Sequence, residues 1–148
     1  MLKLWPLALF VLSGALGCNR SNVTASDLTG TWVLKEESRH VLPTALKNAS
    51  GRIVLREDGT FAASDMPGLL YGDQRRIDLD AGTGAWKLVA REGGQEIQLN
   101  FHTITAGSTQ LQVPYGTQIM VSKPWSTVTL EYYIGDQDQG LGVEFEKK

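Results

Sequence analysis

The chain has 148 residues, 14 lysines and arginines against 16 aspartates and glutamates, and one cysteine. A net charge of −2, with no basic cluster longer than Arg75-Arg76, disfavours nucleic-acid binding. A single cysteine excludes an intrachain disulfide, and the length suits one domain that buries its core without such staples.

The first element is a leader. Lys3 is the only charge before Arg20, and Leu4 to Gly17 is an uncharged, mostly apolar run. A bilayer-spanning helix needs about 20 apolar residues, so this run fits the apolar stretch of a secretory signal over residues 1–17. Its end, Ala15-Leu16-Gly17-Cys18, resembles the lipobox of bacterial lipoproteins, with Ala15 standing where leucine is commonest. The resemblance implies cleavage before Cys18 and lipid attachment to its thiol, the soft nucleophile that thioether formation needs. Several acyl chains, palmitate among them, hold firmly where one alone is marginal. Asn19 follows, not the aspartate that retains enteric lipoproteins in the inner membrane. In a host with two membranes this points to the outer membrane and its periplasmic face. An ordinary signal peptide cut nearby is the alternative. Residues 18–26 read as a polar tether and residues 27–148 as the folded domain; "NVT" at 22–24 and "NAS" at 48–50 match glycosylation sequons that a bacterial leader makes irrelevant.

From there the pattern is one of strands, apolar on one face only. "TWVLKEE" puts Trp32 and Leu34 together; "GRIVLRE" does so with Ile53 and Leu55, and "TFAAS" with Phe61 and Ala63. "RIDLDA" sets Ile77 and Leu79 inward against Arg76, Asp78 and Asp80, which read as a solvated face. "AWKLVA", "EIQLNF", "TQLQV", "TQIMVS", "TVTLEYYI" and "LGVEFEK" continue, with Trp86, Leu88, Ala90, Ile97, Leu99, Phe101, Leu111, Val113, Ile119, Val121, Val128, Leu130, Tyr132, Ile134, Leu141, Val143 and Phe145 inward. "EDG", "AGTG", "EGG", "AGS", "PYG" and "GDQDQG" supply turns. Pro43 opens one helical candidate over residues 42–48. The prediction is an all-β chain, an antiparallel meander of about 8–10 strands closing into a small barrel or half-barrel, because closure buries one-sided strands and removes free edges.

"DLTGTWVL" at 27–34 resembles the G-x-W start of lipocalin-like barrels, where the tryptophan of the first strand plugs the closed end. "REDGTF", "GTGAWKL" and "GDQDQGLGVEFEKK" resemble later strands and the closing hairpin of small, uncharacterised bacterial lipoproteins, with Gln137 where proline is usual. The resemblance implies a lipocalin-like fold and supplies no activity.

The chemistry-bearing residues are sparse. His40 and His102 are the only histidines, and Glu36, Glu37, Asp65 and Asp73 join them in no close-spaced motif, so no metal and no cofactor is expected. Asp136, Asp138 and Gly140 read as a turn and not a calcium loop. No G-x-S-x-G or phosphate-binding glycine loop occurs, and no enzyme is expected. Trp32, Phe61, Trp86 and Phe101 look inward from different strands, either as core or as the lining of an apolar cavity. Leu70 and Tyr71, in the loop 66–76, cover a barrel mouth or meet a partner; Tyr115 and Trp125 mark a second rim. Two readings follow: a membrane-anchored lipoprotein of the cell envelope that binds a small apolar ligand or envelope lipid, or a filled barrel that docks a protein as an inhibitor or assembly factor.

Overall fold

The computed structural model of the protein describes residues 22–67, 79–111, 113–133 and 142–148. Within them the strands are β1 (Gly30–Leu34), β2 (Arg52–Leu55), β3 (Thr60–Pro67), β4 (Leu79–Arg91), β5 (Gly94–Ala106), β6 (Thr109–Gln110), β7 (Tyr115–Ser122), β8 (Thr129–Tyr133) and β9 (Gly142–Lys147). Every pairing is antiparallel. β4 pairs with both β3 and β5, and β1 with both β2 and β9, so eight strands close in the order β1-β2-β3-β4-β5-β7-β8-β9. The short β6 folds back on the end of β5. The result is a closed eight-stranded antiparallel β-barrel, the closed one of the two forms expected, and closure buries the one-sided strands without leaving edges.

Most inward residues form one apolar core. Trp32, Ile53, Phe61, Ile97, Leu99, Ile104, Leu130, Val143 and Phe145 are fully buried. The barrel has two unlike ends. At the closed end sit α1 (Ala25–Leu28), the β2–β3, β4–β5 and β7–β8 connections and the chain terminus. The Trp32 indole N–H donates to the Leu28 carbonyl at 2.7 Å, and Lys147 crosses above the ring to donate to the Asp27 carbonyl at 2.8 Å. Thr24 and Asp27 form a reciprocal capping box on α1. The hydrogen bonds from Thr24 hold the Asp27 carboxyl below its usual range. At the other end, the mouth, two 3-10 turns (Glu36–Val41 and Thr44–Leu46) lie between β1 and β2 and press Leu42 and Leu46 onto the core. Arg39 straps this segment by donating to the Lys47 carbonyl at 2.6 Å, with Glu36 on its Nε at 2.7 Å.

Five details depart from the sequence reading. "AGTG" is not a turn: it lies within β4, a single 13-residue strand. Asp80 is not on a solvated face: it is fully buried, in phase with the inward Trp86. The residues that suggested otherwise, Arg76 to Asp78, lie outside the described residues, as do Ile134 and Leu141. Ala90 and Val113 are exposed. The single helical turn that Pro43 opens is present as a 3-10 turn, Thr44–Leu46, shorter than the 42–48 expected. Finally, the fold takes in part of the tether: Val23 is buried, its N–H donating to Gln95 Oε1 at 2.8 Å while Gln95 Nε2 donates back to the Val23 carbonyl at 2.9 Å.

Candidate functional site

The four aromatics expected on the inner wall are all there, packed as core. Trp32 and Phe61 are fully buried, Phe101 nearly so, and Trp86 is 8% exposed. Phe61 and Phe101 meet edge to face at 4.9 Å, and Phe101 leans on Tyr115 at 5.9 Å. Trp86 lies toward the closed end, its indole N–H on the Arg56 carbonyl at 2.9 Å. Cys18, Leu70 and Tyr71 lie outside the described residues. His40 is exposed, with Nδ1 2.6 Å from the Glu37 carbonyl, and His102 is the exposed extra residue of a bulge in β5. Among the described residues no three His, Cys, Asp or Glu side chains gather where they could hold a metal ion.

What the alternation missed is a polar cluster inside the mouth. Asp80, beside Met66 of β3 and Ala106 of β5, is buried without any exposed surface. Across the barrel Tyr132 of β8 is 8% exposed and hydrogen-bonds Thr117 of β7. Burial pushes the Tyr132 hydroxyl above its usual range; the Thr117 hydrogen bond pulls it down and the nearby Asp80 charge pushes it up. The sequence signal for Asp80 was available: counting back by two from Trp86 gives Gly84, Gly82 and Asp80 on the same face. Tyr132 was placed inward, as found.

The wall is incomplete beside this cluster. β7 pairs with β5 from Tyr115 to Val121, but the register between β7 and β8 begins at Ser122↔Thr129 and stops at Met120↔Glu131. Beyond that point Tyr132 and Tyr133 pair only with β9. The strands part, and a groove of about 510 Å³ opens along the seam. Its floor reaches the inward Thr117 and Tyr132; its flanks are the outward Gln98, Asn100, Gln118, Met120, Glu131 and Tyr133. It offers amide and carboxylate hydrogen bonding around two phenol rings.

Tyr132 makes a testable link between this site and stability. Its hydroxyl keeps its proton in the fold beyond the pH at which the unfolded chain releases it, roughly 10. Its contribution is therefore full below about pH 10 and declines as the pH rises from there toward the folded value. Tyr132→Phe should flatten the alkaline limb of a melting-temperature-versus-pH curve. At neutral pH it should cost about 1 kcal/mol through the lost Thr117 hydrogen bond. An unchanged alkaline limb would show that Tyr132 does not titrate differently in the fold.

The fold and site define a closed, eight-stranded antiparallel barrel, compatible with a lipocalin-like architecture, with a packed interior and a polar groove at one seam. Comparison with protein-family models, with curated proteins and with solved structures finds no match.

Proposed function

We propose that this protein is an exported, membrane-anchored binding lipoprotein, held by lipid on Cys18, whose barrel takes a small ligand at the seam between β7 and β8. The observation that carries the ligand site is the parting of those strands beyond Met120↔Glu131, which opens a groove onto Thr117 and Tyr132. The expected apolar ligand would have to lie against Trp32, Phe61, Trp86 and Phe101, but these rings pack into the core. The groove is the better place, and its chemistry favours a different ligand. Side-chain amides (Gln98, Asn100, Gln118) and the Glu131 carboxylate suit vicinal hydroxyls, and the Tyr133 ring suits the C–H face of a sugar. The proposed class is a small envelope glycan or a similarly hydroxylated molecule.

The test is native mass spectrometry of the purified chain with a set of amino-sugar disaccharides, beside an apolar fluorescent dye as control. The expected result is a sugar adduct that Gln118→Ala weakens at least tenfold, with no gain in dye emission. Dye binding without any sugar adduct would overturn the groove assignment and return the ligand to the barrel interior. An intact-mass measurement on chain extracted from membranes reads the anchor separately, as acyl mass on a chain beginning at Cys18.

A further inference from the structure

We propose that the β7–β8 loop at the closed end is a membrane-contact site. Its Trp125 is inferred to sit in the headgroup layer of the bilayer that carries the Cys18 lipid. The proposal rests on the anchor reading above and goes beyond it, because it fixes which end of the barrel faces the membrane.

Trp125 is 97% exposed, whereas Trp32 and Trp86 are buried. A lone exposed leucine would mean nothing, but this indole is held out by the backbone. Trp125 has φ +63°, in the left-handed region that bulky residues avoid, inside a turn closed by the Thr127 N–H on the Pro124 carbonyl at 3.3 Å. Strain of this kind persists where the surroundings impose it and concentrates at functional positions. Tryptophan is also the side chain best suited to a bilayer surface, since its ring is apolar and its N–H seeks a polar partner.

The position of the loop supplies the occupant. Val23 is fixed to Gln95, and Asn22 and Val23 border the same groove as Val121, Ser122 and Lys123, the stem of the Trp125 loop. Cys18 lies five residues before Val23, and at full extension those five steps span at most about 18 Å. A lipid on Cys18 therefore keeps this end of the barrel beside the membrane, with Trp125 next to the tether's exit. Beside the loop Lys35, Lys123 and Lys147 stand with Asp27 and Glu146, a mixed set with no strong excess of either sign, so the contact is assigned to the indole and not to charge. The mouth and the seam groove beside it then face away from the anchoring membrane, toward ligands arriving through water.

The test uses the full chain, processed in its host, reconstituted into phosphatidylcholine vesicles with and without brominated acyl chains. The expected result is quenching of tryptophan emission by the brominated lipid, equal at low and high salt, and abolished by Trp125→Gly. Glycine adopts positive φ without strain, so that variant keeps the fold. Emission that ignores brominated lipid but is quenched by aqueous acrylamide would overturn the proposal. So would a Trp125 shielded from both quenchers, which would mean that a second copy or another protein covers the loop. The intact mass of the same sample reports the lipid on Cys18, so loss of the anchor and loss of the contact are read apart.

Discussion

Gly84→Ala is expected to cost about 3 kcal/mol or more, a fall of roughly 12 °C in melting temperature at about 4 °C per kcal/mol for a domain of this size. A Cβ on Gly84 would lie 2.0 Å from the Asn100 carbonyl oxygen and 2.9 Å from the Phe101 Cα. Both are backbone atoms of β5, so no side chain can swing aside. The close approach has a purpose. The register between β4 and β5 shifts at Thr83/Gly84, which leaves His102 as an extra residue and turns both Phe101 and Ile104 inward. Gly82 completes the arrangement, since a Cβ there would meet the Phe101 ring at 2.7 Å. Gly94→Ala is the control: nothing lies within 4 Å of its added Cβ, and the change should stay within about 0.5 kcal/mol. Thermal melts of the two variants decide the point; equal melting temperatures would show that β5 can retreat from β4.

Trp32→Ala should be the most damaging of the core truncations, at about 3–5 kcal/mol, against a total stability of about 5–15 kcal/mol. Trp32 is fully buried at the closed end, and its N–H ties β1 to the Leu28 carbonyl of α1. Its removal leaves a cavity, an unpaired Leu28 carbonyl and a Lys147 chain with nothing beneath it. Trp32→Phe separates these contributions, since it keeps most of the volume and loses the hydrogen bond, and should cost about 1–3 kcal/mol. A denaturant melt in which Trp32→Ala loses less than Trp32→Phe would mean that the closed end collapses around the gap.

The fold class was legible because most inward residues are apolar, so a period of two marks the inner face of β1, β2, β3, β7 and β9. It failed on β4, where the inward residues after Asp80 are Gly82 and Gly84. Glycines carry no hydropathy signal and mimic a turn, and the aspartate before them then read as surface. The candidate site was less legible for a related reason. The groove exists because β7 and β8 part beyond Met120↔Glu131, and no single-strand pattern reports where two strands stop pairing. The four aromatics were found correctly as inward residues. Whether inward means core or pocket depends on their distances to one another, such as the 4.9 Å between Phe61 and Phe101, which alternation does not encode.

The barrel closes by pairing Trp32 with Lys147, Val33 with Glu146 and Leu34 with Phe145. The first strand thus waits for the last. A chain emerging stepwise from a ribosome or a translocation channel cannot complete its hydrogen-bonded ring until residue 147 is free. Contacts of such wide sequence separation also make folding slow. Under the export proposed above, this ordering would be useful: the topology itself would delay closure and keep the chain competent for passage.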